Sequence, residues 1–202
     1  MKRFIYSLTN LIFSNSKIFN KFRNLVHNNF KDEKSIIKRY FNYNKLTLDF
    51  GCGAGQFAPL FTQKSYYGID TDKKYINFCK NNYKGRFSII KTSPPYDFKR
   101  DYFNQILVSA VIHHLDDKKF IEIFKELSRI LNNKGELMII DHFTKKNQKK
   151  LLCKILINLD RGKYFRNPQE VISLLGNYFK IKKTGYFKNG PYKDYILILS
   201  KK

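Results

Sequence analysis

The sequence is short of acid, short of cysteine and free of long apolar runs, and each shortage narrows what the chain can be. Its three cysteines, Cys52, Cys79 and Cys153, are widely spaced and form no CxxC pair, which argues against a disulfide framework and against a zinc site. A reducing cytoplasm is therefore the expected location. No stretch approaches the roughly 18 uninterrupted apolar residues of a membrane-spanning helix. No GxxxxGK loop ending in serine or threonine occurs, so a P-loop nucleotidase is excluded. There is no internal repeat and no low-complexity linker. The 202 residues read as one domain, long enough to bury a core without staples.

Acid is the scarcest commodity: 16 Asp and Glu stand against 39 Lys and Arg, a net charge of +23. Lysine far outnumbers arginine, and Asn, Ile, Phe and Tyr are abundant, a composition that an AT-rich genome favours. The distribution is more informative than the total. Residues 45–141 carry fifteen bases and eleven acids, net +4, whereas 1–44 are net +7 and 142–202 net +12. The middle is electrostatically ordinary and the two flanks are basic. An apolar fraction of 43% and an aromatic fraction of 16% argue against disorder.

In residues 1–44, Phe4, Leu8, Leu11, Ile12, Phe19, Phe22 and Val26 follow a helical period. Ser7, Thr9 and Asn10 interrupt the apolar run, so the segment does not read as a secretory signal. It is expected to be a helical cap, packed on the core, lidding a site or lying on a membrane surface. From residue 45 the pattern alternates. Strands are predicted at 46–50, 66–69, 87–91, 105–111 and 136–140, with helices at 73–82 and 117–131. Such alternation predicts a parallel sheet with right-handed crossovers. After a polar break at 144–150 come helices at 151–159 and 168–178, then strands at 180–188 and 192–200 joined by Asn-Gly-Pro, a closing hairpin.

LDFGCGAGQF at 48–57 is the informative segment. A strand, then glycines at 51, 53 and 55, then a helix start brings backbone against a nucleotide-like ligand without side chains in the way. A dinucleotide fingerprint needs glycine at 56, where this chain has Gln56. Asp70 closes the second strand, nineteen residues after Gly51, where an acid accepts hydrogen bonds from both hydroxyls of a ribose.

With YYGID at 66–70, QILVSAVIHHLDD at 105–117 and LSRILNNKGELMIIDHF at 127–143, the chain resembles the class I S-adenosylmethionine-dependent methyltransferases, in the broad group that includes the quinone-biosynthesis C-methyltransferases. The resemblance covers about 45–143. It implies an α/β, Rossmann-like seven-stranded sheet of order 3-2-1-4-5-7-6 with strand seven antiparallel, helices on both faces and an N-terminal helical cap over a 45–202 domain. It implies S-adenosyl-L-methionine as cofactor and S-adenosyl-L-homocysteine as product. Asp49 and the backbone of Gly51, Gly53 and Gly55 would hold the methionyl part, Asp70 the ribose, and Thr92 the adenine amino group in place of the usual acid. Cys52, Gln56, Thr71, Ser93 and Ser109 complete the implied cofactor set.

SPPY at 93–96 imitates a signature of methyltransferases that act on the exocyclic amines of bases. There it follows strand four and its tyrosine stacks on a flipped base. Here it follows strand three, so it reads as a proline loop.

The cofactor brings the activated methyl group, and the protein must align the acceptor, exclude water and, for some acceptors, remove a proton. His113 and His114 after strand four are candidate bases, and Asp141 with His142 after strand five occupies the neighbouring position. No metal is implied. In the tail, Arg161 and Arg166 offer bidentate recognition of a carboxylate or phosphate. The favoured expectation is O- or C-methylation of a small or amphiphilic, anionic or lipid-like acceptor. An RNA methyltransferase gripping its substrate through the basic flanks is the alternative. A non-catalytic cofactor-binding partner protein is a third reading, against which the intact glycine loop and Asp70 speak.

Overall fold

The computed structural model describes residues 28–142, 162–190 and 192–202. Seven strands form one sheet: β1 Thr47–Phe50, β2 Tyr66–Asp70, β3 Arg86–Ile89, β4 Phe103–Ser109, β5 Leu131–His142, β6 Phe179–Asn189 and β7 Tyr192–Lys201. Their order is β3-β2-β1-β4-β5-β7-β6, with β7 antiparallel to both neighbours. Helices are α1 Lys31–Tyr40, α2 Lys73–Asn82, α3 Asp117–Ile130 and α4 Pro168–Leu175. Most of the 1–44 segment, the polar break, the helix predicted at 151–159, Cys153 and Arg161 lie outside the described residues.

Period-two alternation along the central strands builds two cores. Leu137 and Ile139 of β5, with Leu197 and Leu199 of β7, face Phe120, Phe124 and Leu127 of α3 and Val171 and Leu175 of α4. Met138, Ile140, Ile196 and Ile198 face the other way, onto Phe30, Ile37 and Phe41 around α1. Burying each large side chain contributes about 1.5–3 kcal/mol. Helix starts are set by short polar side chains: Asp72 accepts from Lys74 N, Asp116 from Lys119 N, and Asn167 makes a reciprocal capping box with Glu170. Asn28, Asn29 and Phe30 all sit at positive φ just ahead of α1, so the chain turns sharply there.

Three expectations are corrected. The glycine loop does not run into an α-helix but into a single 3₁₀ turn, Ala58–Leu60, containing Pro59. Only fifteen residues separate β1 from β2, and the loop consumes half of them. Strand four is shifted back to Phe103–Ser109, because Ala110 adopts φ 54 and ends it. Strand five begins at Leu131, directly after α3, where it pairs with Phe103 ahead of an irregularity in register. Among the described residues no helix is long and apolar enough to cross a membrane, and no cluster of three or more metal-ligating side chains occurs.

Candidate functional site

The parallel strands end at one edge, and two structures stand side by side there. The first is the glycine loop. Gly51, Gly53 and Gly55 have φ of 74°, 52° and 73°, a region costly for any residue with a Cβ. Gly51 is also required for packing, since a Cβ there would lie 2.5 Å from Val111 Cγ2. The loop is fastened from below: the N–H groups of Gly51 and Cys52 both donate to the Ile69 carbonyl. Asp70 holds it from the side, Oδ2 accepting from Gly53 N and Oδ1 from Asp72 N, each at 2.9 Å. Beneath the loop, buried Asp49 accepts a hydrogen bond from the Tyr66 hydroxyl at 2.5 Å. Burial pushes the Asp49 carboxyl up to about 7, helped by the charge of Asp70 and opposed by the Tyr66 bond. The thiols of Cys52 and Cys79 both point at the Gly53 carbonyl, and their mutual contact, then burial, holds Cys52 protonated. Around this cradle Thr71 and Thr92 are exposed, Gln56 and Ser109 half-buried, and Ser93 accepts from Lys119 Nζ at 2.9 Å.

The second structure lies where β4 and β5 end. After β4 the chain makes a 3₁₀ turn, Ile112–His114, which buries His113 and leaves His114 exposed. His113 Nδ1 meets Asp141 Oδ1 at 2.6 Å, and Asp141 also accepts from the backbone N–H groups of Ile112 and His142. Burial alone would raise the Asp141 pKa; the charge and hydrogen bond of His113, with His142 adding, reverse this and hold it below the usual carboxylate range. The His113 ring stacks on Phe165 at 5.0 Å and 4°, and its carbonyl accepts from Lys163 N and Tyr164 N. The tail segment is thus laid directly over the histidine.

Arg166 lies in the same place, but its geometry differs from the expected anion grip. Its five N–H bonds reach Asp117 Oδ1 twice and the carbonyls of Ile112, Leu115 and Tyr164. A guanidinium has five such donors, so none remains for a substrate anion. Its side chain clamps the tail segment to the loop after β4. The SPPY loop follows β3, not β4, and Tyr96 is buried against Phe50, its N–H on Glu126 Oε1.

Sequence reasoning did not single out Tyr66, Glu33, Asn189 or Asp194. Asp194 had a visible signal: it is an acid at the head of the apolar run at 195–199, and β7 pairs it with His142. The cradle fits S-adenosylmethionine on its own chemistry. Each Asp70 oxygen accepts one backbone N–H and keeps a lone pair for one of two ribose hydroxyls, and bare glycine backbone leaves room for close approach.

Comparison with known proteins agrees. Residues 48–139 match the family described as methyltransferase domain. Over 95 residues the chain is 30% identical to the human protein called probable tRNA methyltransferase 9B, covering 46% of this chain and 20% of that one. The chain therefore matches only about a fifth of that relative's length. A S-adenosylmethionine-dependent methyltransferase from Archaeoglobus fulgidus superposes with TM-score 0.72 at 18% identity, covering 91% of this chain and 99% of that one. Magnesium protoporphyrin IX methyltransferase from Synechocystis, solved with bound S-adenosylhomocysteine, gives 0.68 at 17%, covering 98% and 100%. From the glycine cradle, the strand order and the matched domain together, residues 48–139 form a methyltransferase domain, and the chain has the class I S-adenosylmethionine-dependent methyltransferase fold.

Proposed function

We propose that the chain methylates an acceptor atom that must lose a proton, with His113 as the general base, the acceptor being small or amphiphilic and O- or C-directed. The observation carrying this reading is the buried His113–Asp141 couple at the strand ends, next to the loop that Val111 packs against through Gly51. When bound, S-adenosylmethionine supplies a methyl group on a positively charged sulfur. Asp49, the backbone of 51–55 and Asp70 would hold it, with Thr92 and Ser93 near the adenine. Asp141 stays ionised and accepts a hydrogen bond from the Nδ1–H of His113, which commits the neutral ring to carry its lone pair on Nε2. That nitrogen accepts the acceptor's proton as the methyl group transfers, and Asp141 stabilises the imidazolium so formed. Phe165, Tyr164 and the Arg166 clamp close the site against water, with Arg161 contacting an anionic acceptor and 1–44 serving as a cap over the 45–202 domain.

RNA is the second acceptor reading, favoured by the name of the human relative and by flanks of net +7 and +12. Incubating purified protein and methyl-labelled cofactor with a cell lysate separates the two. Label in the organic or small-molecule fraction, lost in His113→Asn, supports the first reading. Label in RNase-sensitive, acid-precipitable material, with binding that falls steeply as salt rises, replaces it with the second.

A further inference from the structure

The polar groups at the mouth do not end with Asp141. Its neighbour His142 places Nδ1 2.6 Å from Asp194 Oδ1 and stacks its ring on Tyr192 at 4.4 Å. Asp194 Oδ2 accepts from Asn189 Nδ2 at 2.6 Å, and the same amide nitrogen donates to Glu33 Oε1 at 2.6 Å. His142, Asp194, Asn189 and Glu33 are 7%, 0%, 1% and 2% exposed. They come from β5, β7, the end of β6 and α1. An unbroken chain of buried polar groups thus runs from the reaction mouth to α1.

Stability does not account for it. Burying two carboxylates and an imidazole costs several kcal/mol even when they are paired, and apolar side chains of similar volume are commonly as good or better. The next positions of β7 on the same face, Ile196 and Ile198, are filled that way. Groups retained against that cost, ending beside a His–Asp couple, point to a positioning role.

We infer that Asp194, Asn189 and Glu33 are positioning residues for methyl transfer: they hold the His142 ring beside the His113–Asp141 couple and fasten it to α1, so that displacing α1 misplaces the groups that take the acceptor's proton. This deepens the reading of His113 as the base and rests on it. His142 works on that base from two sides: its backbone N–H donates to Asp141 Oδ1, which also meets the His113 ring, and its own ring lies 5.8 Å from that of His113. The groups facing His142 are Asp194 and Tyr192 of β7, Asp141 of β5 and His113 of the turn after β4, with Glu33 of α1 reaching it through Asn189. Burial pulls the His142 pKa down, but Asp194, and then Asp141, outweigh this and raise it. When protonated, the ring in turn helps keep Asp141 ionised.

The test uses the full chain and needs no identified acceptor for its first arm. With only four histidines, the ring ¹⁵N resonances of His142 can be assigned and followed in wild type, Asn189→Ala and Glu33→Ala, which cut the chain at different points. Expected is a downfield Nδ1 proton on His142 in wild type that is lost or exchange-broadened in both variants. In the second arm, methyl transfer into the labelled lysate fraction falls about tenfold or more, while S-adenosylhomocysteine affinity by calorimetry stays within about twofold. Should one variant fail to fold by near-ultraviolet dichroism, the other reads the same link. Unchanged His142 resonances in a folded variant, or an unchanged transfer rate, overturns the inference. Failure of the underlying reading shows separately, as His113→Asn transferring at the wild-type rate.

Discussion

The glycine cradle proposed for the cofactor and the mouth proposed for transfer lie side by side at the same sheet edge, yet they are made of different material. The cradle is backbone: three left-handed glycines, two N–H groups on one carbonyl, and one carboxylate holding the loop. The mouth is side chain: two histidines, two aspartates, a saturated arginine and a stacked phenylalanine drawn from four parts of the chain. A backbone cradle binds one invariant ligand and tolerates little change. A side-chain mouth can be rebuilt residue by residue for different acceptors, while the cradle beside it stays as it is.

Substitutions on the two sides should therefore fail in different ways. The largest effect is expected from Asp70→Ala, which removes both ribose acceptors and two loop bonds. Calorimetry should find at least about 100-fold weaker S-adenosylhomocysteine binding to a chain that still folds, and affinity near wild type would dismiss the cradle assignment. Next comes Gly51→Ala, combining positive φ with a contact at 2.5 Å to Val111. A loss of about 2–4 kcal/mol in denaturant melts is expected, and Val111→Ala in the same chain should recover only the steric part. On the mouth side, Arg166→Lys should cost about 2 kcal/mol, because an ammonium offers three donors where five are in use. Cofactor affinity should barely change, and a large drop would erase the distinction between the two regions.

The smallest effect is a pH dependence set by Asp49, raised to about 7 in the folded chain. The native state keeps a proton there that the unfolded state releases, so this group's contribution to stability declines as pH rises from about 4 and levels off above about 7. Binding a cationic methionyl group favours the ionised carboxylate. Cofactor affinity should rise with pH by up to about tenfold per unit below 7 and flatten above it. A calorimetric series from pH 6 to 8 that is flat throughout would remove Asp49 from the cradle.

The same contrast explains what was legible beforehand. The glycine loop, Asp70 and the alternation of strands and helices follow from local patterns: residues within one turn of each other, apolar runs of period two, and a helix between strands; the strand order came from the family resemblance that those patterns carry. The histidines and Asp141 were visible as polar residues at strand ends, but not their pairing. His113 and Asp141 are 28 residues apart, His142 and Asp194 are 52, and Glu33 and Asn189 are 156. No period or spacing links such positions; only the sheet order does. Arg166 misled for a related reason. Its charge suggested an anion, whereas the three carbonyls that occupy it come from backbone that carries no mark in the sequence. The missing helix after the glycine loop is a matter of length, since β2 starts too soon to leave room for one.

The central claim is that cofactor binding and proton removal reside in separable structures. Its most direct test is Asp141→Asn, measured in parallel for S-adenosylhomocysteine affinity and for labelled methyl transfer. The amide keeps the shape but cannot hold an imidazolium, so affinity within about twofold of wild type and transfer reduced about 100-fold are expected. Transfer at the wild-type rate, or loss of binding and transfer together, would contradict it.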